Sequence, residues 1–176
     1  MEHGGGAAPA ALRRHARPRA GAVPVADLEA RRAAAHALLA RHLEGPVAAA
    51  AWVQHVEHDP TIPRWYVRYG CEGRDAATIY FDLHQRSLHY EVYFLPAPSP
   101  ATELDCLRFL LTCNHRLYGA RFSIGPDGDY YLTGRIALEH LDETELDRVI
   151  GVLYDATERW FPPLVRTAYP RAAGAD

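Results

Sequence analysis

The sequence predicts an α+β domain in which a mostly antiparallel sheet is flanked by helices. Three consecutive segments between residues 64 and 95 alternate apolar and polar residues with a period of two, which is typical of strands with one buried face. Helical patterns precede, interrupt and follow the strands, which gives the order α-β-β-β-β-α-β-β-α. The chain has 176 residues, of which 48% are hydrophobic, so one substantial core is expected.

The first helix is predicted to begin near Asp27, which is a suitable N-cap, and to end near Glu44, where a Gly-Pro pair follows. A strand over residues 52–57 comes next. Two Pro-containing turns then separate it from the alternating segments.

The alternating segments 64–69, 76–84 and 88–95 are predicted to form an antiparallel meander, since the links between them are short. Their period also predicts which side chains face the core. The inward set is Trp65, Val67, Tyr69, Ala77, Ile79, Phe81, Leu83, Leu88, Tyr90, Val92 and Phe94.

A second helix is predicted from Ser99 and Pro100 to Leu117, with Gly119 placed to terminate it. Its expected buried stripe consists of Leu104, Leu107, Leu110 and Leu111.

The remaining chain predicts a hairpin and a third helix. Strands over 120–124 and 130–137 flank a Gly-Pro-Asp-Gly turn. The helix opens with Asp142 and Glu145 in the capping-box arrangement, and Pro162-Pro163 is expected to close or kink it.

Domain boundaries follow from composition. Residues 1–24 are rich in Gly, Ala, Pro and Arg, without a continuous apolar stretch, which predicts a flexible tail and not a secretion signal. Residues 25–168 are expected to form one domain, and residues 169–176 a second flexible tail. No internal repeat or long linker divides the chain.

Charge and cysteine usage exclude several functional classes. All 19 basic residues are arginine and the net charge is −3, which argues against nucleic acid and anionic membranes as partners. No apolar run reaches the roughly 20 residues of a membrane span. Cys71, Cys106 and Cys113 are odd in number and lack CxxC spacing, which favours burial as small apolar side chains and a cytoplasmic location.

Five segments, taken together and in this order, form a pattern that is typical of a known protein family. They are Arg64–Arg68 (RWYVR), Arg86–Glu91 (RSLHYE), Leu117–Gly119 (LYG), Tyr131–Ile136 (YLTGRI) and Leu141–Asp147 (LDETELD). They resemble the actinobacterial branch of the YbjN-type family over residues 27–168. The resemblance implies a fold similar to that of type III secretion chaperones and a label as a sensory-transduction regulator, with no established enzymatic motif. Secretion chaperones are usually homodimers that bind unfolded segments of partner proteins.

The standard enzyme signatures are missing from the sequence. It contains no GxGxxG after a strand, no GxxxxGK[ST], no HExxH and no GxSxG. We therefore predict no catalytic residue, no cofactor and no metal. His55, Glu57 and His58 offer metal-binding groups, but their loose spacing beside a Pro-rich turn favours a solvated strand end.

The outward side chains of the sheet form the candidate site. Asp82, His84, His89 and Glu91 are expected near one tight turn, where a carboxylate could raise an imidazole pKa and poise a general acid or base. Cross-strand pairs on any wet face have the same pattern. Tyrosine and arginine are also enriched at protein interfaces. The predicted binding face consists of Tyr66, Arg68, Tyr80, Asp82, His84, His89, Glu91, Tyr93, Arg121, Tyr131 and Arg135.

The sequence thus predicts a non-catalytic protein-binding or regulatory module whose partner is unidentified, with homodimerisation left open. The alternative is a small-molecule-binding sensor or an enzyme that uses the His/carboxylate group. Aromatic and arginine platforms also stack RNA bases, but the acidic balance of the chain argues against that partner.

Overall fold

The computed structural model describes residues 24–170, and the predicted helices and strands form there in the predicted order. Most of the two predicted tails, residues 1–23 and 171–176, lies outside the described residues.

The helices and strands form a six-stranded antiparallel sheet with three long helices, which confirms the α+β class. Across the sheet the strand order is β1-β2-β3-β4-β6-β5. A π-helical turn (Leu43–Val47) extends the first helix, and a 3-10 turn (Leu138–His140) precedes the last. The elements are α1 (Val25–His42), β1 (Val53–Asp59), β2 (Arg64–Tyr69), β3 (Ala77–Leu83), β4 (Ser87–Leu95), α2 (Glu103–Asn114), β5 (Arg121–Ile124), β6 (Tyr130–Ala137) and α3 (Glu143–Ala168).

One face of the sheet is buried against the helices. In β3 and β4, buried and partly exposed residues alternate, and Ile79, Phe81, Val92 and Phe94 are each at most 1% exposed. The predicted phase of the meander is therefore confirmed. Each of these side chains contributes roughly 1.5–3 kcal/mol by leaving water, so a shift of phase would be costly.

Trp65 anchors the end of α1 to β2. Its side chain is fully buried, its ring stacks on His58 at 4.3 Å between ring centroids, and its indole N–H donates to Glu44 at 3.2 Å. His36 of α1 meets the indole edge-on at 5.0 Å. These contacts connect the helix layer to the sheet.

The first helix departs from the prediction at both ends. Its N-cap is Pro24, so Asp27 lies in the first turn, and the Gly-Pro pair does not stop it. The chain continues as a π-helical turn with Pro46 inside, in which the amide of Ala48 donates to the carbonyl of Leu43 at 3.0 Å. Leu43 and the last residue of the turn are buried, so packing overrides the local stop signal.

The second helix is shorter than predicted, and half of its predicted stripe is wrong. It begins at Glu103 after Thr102 and ends at Asn114. Leu104 and Leu111 are 58% and 69% exposed. Cys106, Leu110 and Cys113 are the buried residues, so the packed stripe is rotated toward the cysteines.

The third helix confirms its predicted start, and of the two predicted effects of Pro162-Pro163, closure of the helix does not occur. Asp142 Oδ1 accepts the Glu145 amide at 2.7 Å, as an N-cap does, while the Glu145 carboxylate pairs with Arg148. The two prolines lie inside the helix. Leu164 and Ala168 beyond them are buried, which holds the last turns in place. None of the described helices is both long and apolar enough to cross a bilayer.

Gly134 of β6 permits a close approach of a neighbouring side chain within the core. It pairs with Tyr90 of β4, and a Cβ at position 134 would overlap the Tyr90 ring. The Tyr90 side chain extends across β6, and its hydroxyl donates to the carbonyl of Gly119. Gly119 has a φ of +80°, which favours glycine. A side chain at position 134 would displace the ring from this position.

We therefore expect Gly134→Ala to lower the free energy of unfolding by about 1–3 kcal/mol, because the added methyl overpacks the core. Urea unfolding measures the change. The matched control is Gly45→Ala, since a Cβ there meets nothing within 4 Å. Unchanged stability of Gly134→Ala would contradict this account of the strand contact.

Candidate binding face

The sheet face opposite the helices, here called the open face, contains the predicted binding residues. Arg68, Arg121 and Arg135 are exposed there, and the tyrosines and carboxylates are partly exposed. All three helices contribute their buried residues to the core on the other side. The open face is therefore accessible to a partner in the part of the chain that the structure describes.

Strand register arranges the open face in rows across the sheet. One row of paired residues contains Tyr66, Tyr80, Glu91, Thr133 and Arg121, from β2 to β5. The next row contains Arg64, Asp82, His89 and Arg135. Tyr93 pairs with Tyr131 in a third row, and Arg68 pairs with Thr78. Arg64 was not in the predicted set, although its strand position places it on this face.

Arg64 and Asp82 form a bidentate ion pair on the open face. Arg64 Nε lies 2.5 Å from Asp82 Oδ1, and Nη2 lies 2.9 Å from Oδ2. This pairing raises the pKa of the Arg64 guanidinium, chiefly through the hydrogen bonds to Asp82. Both carboxylate oxygens of Asp82 accept hydrogen bonds from Arg64, and the guanidinium charge offsets the carboxylate charge. Asp82 is therefore not an unpaired base for its neighbours.

His84 and His89 adjoin each other near the β3–β4 turn, with ring centroids 4.0 Å apart. Desolvation lowers the pKa of His89, and the charges of His84 and Arg135 lower it further against the opposing effect of Asp82. The predicted effect of a neighbouring carboxylate is present, since Asp82 raises the pKa of His89, but desolvation and the two neighbouring charges outweigh it. The net shift of the His89 pKa is therefore downward, which favours the neutral form of the ring.

Glu91 shows the opposite shift. Desolvation raises the pKa of its half-buried carboxyl, the Asp82 charge raises it further, and Arg64 opposes both effects. Glu91 pairs with Tyr80 on one side and Thr133 on the other, and neither supplies a cation. The open face thus combines a weakened acid with a neutral imidazole.

These groups surround a shallow polar hollow of about 150 Å³. Asp82, His89, Glu91, Arg121 and Arg135 contribute to its walls, but His84 does not. A drug-sized ligand pocket usually measures ~300–1,000 Å³, so the hollow is small for a buried ligand. Between residues 24 and 170, no carboxylate lies within 4.0 Å of Arg121 or Arg135, which leaves two guanidinium groups for a partner.

Two tyrosine pairs supply the apolar part of the open face. Tyr66 and Tyr80 meet edge-to-face at 5.4 Å between ring centroids, and Tyr93 and Tyr131 meet at 5.5 Å. All four side chains are partly exposed. Such rings offer rigid apolar area and a hydroxyl at little conformational cost.

Two of the three residues weighed as metal ligands lie side by side, but the third faces away from them. His55 and Glu57 lie on the open side of β1, with Nε2 and Oε2 3.7 Å apart. His58 faces the helices and stacks on Trp65. In the described part of the chain, no group of three or more His, Cys, Asp or Glu residues could hold a metal ion.

The raised pKa of Glu91 predicts a pH-dependent effect of its removal. The folded state keeps this proton to higher pH than the unfolded state, so stability falls as pH rises from the unfolded to the folded pKa. We expect Glu91→Gln to raise the melting temperature by a few degrees at about pH 7 and to change little near pH 4.

Thermal unfolding at both pH values tests this expectation. The exposed Glu29→Gln on α1 is the matched control and should melt like the wild type. A Glu91→Gln variant that loses stability at neutral pH would show that the carboxylate makes a favourable contact.

Residues 40–166 match the YbjN family, described as "Putative bacterial sensory transduction regulator". An uncharacterized protein of Mycobacterium tuberculosis is 29% identical over 116 residues, which are 66% of this chain and 63% of the relative. One from Mycobacterium leprae is 32% identical over 98 residues, or 56% of this chain and 53% of the relative. The chain thus spans less than two thirds of the length of these relatives.

Among solved structures, a chain in the crystal structure of the ExsC-ExsE complex has a TM-score of 0.55 at 14% identity, covering 80% of this chain and 98% of that one. The type III secretion chaperone SycH of Yersinia pestis, solved with a fragment of YscM2, has a TM-score of 0.42 at 12% identity, covering 72% and 96%. The second likeness is too weak to support a conclusion.

The expected antiparallel sheet with flanking helices is confirmed, and its fold is similar to that of the chain in the ExsC-ExsE complex. Since the family match covers most of the sequence, this chain belongs to the YbjN family.

Proposed function

We propose that this chain is a non-catalytic protein-binding module that recognises an extended segment of a partner protein on its open face. The main supporting observation is the row from Tyr66 to Arg121, which places aromatic, acidic and cationic side chains side by side across five strands. Five strands span roughly 20 Å, enough for a polypeptide segment. The regulator label of the family and the two-protein composition of the ExsC-ExsE complex agree with this proposal.

The charge distribution favours an acidic partner segment at the β5–β6 side. Arg64 is neutralised by Asp82, whereas Arg121 and Arg135 are exposed and have no carboxylate partner among residues 24–170. Arginine binds carboxylates in a planar, bidentate manner. The Tyr93–Tyr131 pair lies next to this side and offers apolar contact for the same segment.

Catalysis is not part of this proposal. The candidate acid and base, Glu91 and His89, line a small polar hollow, and a site of this kind does not exclude water from a reacting group. A cytoplasmic location is part of the proposal, and the free, buried Cys106 and Cys113 support it.

A small-molecule sensor or enzyme at the same hollow is the second candidate function. The specific observation in its favour is that Glu91 and His89 have pKa values shifted in opposite directions within one hollow. This candidate would gain support if partner binding did not depend on the tyrosines and arginines around the hollow.

Replacing Tyr80, Glu91 and Arg135 together by Ser, Gln and Gln tests the protein-binding proposal. We expect about 100-fold weaker partner binding with the fold retained, because these side chains are partly or fully exposed and anchor residues dominate interface energies. Tagged wild-type and variant proteins are compared for capture from a cell extract. The captured protein is then titrated against both by calorimetry.

The matched control replaces an acid, an arginine and a tyrosine on the helical side: Glu103→Gln, Arg108→Gln and Tyr118→Ser. All three side chains are exposed. Equal binding by the open-face variant and the wild type would refute the proposal, as would a wild type that captures no protein in a saturable manner.

Homodimerisation is a further part of the proposal. Leu104 and Leu111 are exposed, and they lie two turns apart on α2, so they share one helix face. A two-fold axis would place this face of α2 against the same face of a second chain. A stable contact between the two chains would bury more than roughly 1,000 Å² of accessible surface.

We expect the full wild-type chain to sediment with twice its mass of 19.6 kDa. The double variant Leu104→Ser/Leu111→Ser should sediment as a monomer. Analytical ultracentrifugation measures both masses. Ile62→Ser, which removes another exposed apolar side chain, should stay dimeric. A monomeric wild type at high concentration would exclude this dimer.

A further inference from the structure

A larger cavity lies on the helical side of the molecule, away from the open face. We call it the α1–α3 cavity, since it lies between the π-helical turn after α1 and the middle of α3. Its volume is about 420 Å³, within the usual ~300–1,000 Å³ range of small-molecule sites. Its walls include Val47, Trp52, Asp147, Gly151 and Tyr154.

Two unusual local choices leave this space open. Gly151 occupies the interior of α3, where glycine is less favourable than alanine. A Cβ at position 151 would meet nothing within 4 Å, so packing does not require glycine there. On the opposite wall, Pro46 lies inside the π-helical turn. Single π-helical turns are found frequently at functional sites. Glycine at position 151 therefore leaves this part of the cavity wall without a side chain.

The cavity walls are mainly apolar and aromatic. Trp52 and Tyr154 meet edge-to-face, with ring centroids 5.4 Å apart. Val47, Ala50 and Ile150 complete the apolar lining. Aromatic rings of this kind attract cations through their electron-rich faces.

The polar groups of the cavity are a histidine and a carboxylate. His42 is nearly buried, and its Nε2 lies 2.6 Å from Asp147 Oδ1. Asp147 is 62% exposed, and its second oxygen has no hydrogen-bond partner among the described residues. No arginine of the described residues lines the cavity, and the nearby Arg41 and Arg148 pair with Glu143 and Glu145. The free oxygen of Asp147 is thus an acceptor for a ligand.

We propose that the α1–α3 cavity binds a small organic cation with an apolar or aromatic body. The body lies among Val47, Trp52 and Tyr154, and the ammonium group contacts the free oxygen of Asp147. His42 acts as a positioning residue, because its hydrogen bond fixes the orientation of the carboxylate. This site is independent of the open face and of the protein-binding proposal.

The test uses 2-phenylethylammonium as the probe, with the neutral 2-phenylethanol and the anionic 3-phenylpropionate as comparisons. Calorimetry on the full chain gives the affinities, and the NMR signal of the Trp52 indole N–H reports the location. We expect the ammonium ion to bind about tenfold more tightly than the alcohol. The carboxylate should bind more weakly than both.

Two substitutions locate the site. Asp147→Asn keeps the shape and should reduce ammonium affinity about tenfold while leaving the affinity for the alcohol unchanged. Gly151→Leu fills the cavity and should abolish binding of both compounds without lowering the melting temperature, since its Cβ enters open space. Gly45→Ala, a helical glycine that does not line the cavity, is the matched control.

The proposal fails if the wild type binds none of the compounds up to roughly 10 mM. It also fails if the alcohol or the carboxylate binds as tightly as the ammonium ion, because recognition would then not depend on Asp147. Retained binding in Gly151→Leu would place the ligand elsewhere and overturn the assignment of this cavity.

Discussion

Burial of alternate side chains under the helices is the constraint on which the other features of this domain depend. Ile79 pairs with Val92 on the buried face, and their neighbours Tyr80 and Glu91 therefore pair on the open face. A slip of one residue in either strand would exchange the two sets, exposing apolar side chains and burying an acid. The geometry of the open face is thus determined by the core, although no open-face residue belongs to it.

The same alternation explains how much of the structure the sequence could predict. A period of two is visible within a single strand, so the inward set and the outward positions that lie within strands follow from local pattern, whereas His84 lies just beyond the end of β3. Strand register depends on contacts between distant segments. The Arg64–Asp82 pair and the effect of Arg135 on the pKa of His89 both arise from register, so the sequence pattern alone did not reveal them.

The helices were harder to predict because tertiary packing overrides local signals. In α2, Leu104 and Cys106 lie on different faces, and both faces contain apolar residues, so periodicity does not decide which one packs. After α1, the Gly-Pro pair is a strong stop signal. Burial of Leu43 nevertheless continues the helix through a π-helical turn. A pattern rule fails wherever burial of one residue outweighs a local preference.

Two glycines show how the domain separates packing from binding. Gly134 is required because the Tyr90 ring occupies the space of a side chain, whereas Gly151 faces space that nothing occupies. The wall of that space is firm, since Trp52 packs on Tyr69, which is fully buried and hydrogen-bonded to Thr157 at 2.9 Å. A ligand in the α1–α3 cavity would therefore meet a preformed site and leave Tyr69 in place. Because Tyr69 and its neighbours on β2 would then keep their positions, a ligand in the proposed cavity site would leave the geometry of the open face, on the other side of the sheet, unchanged.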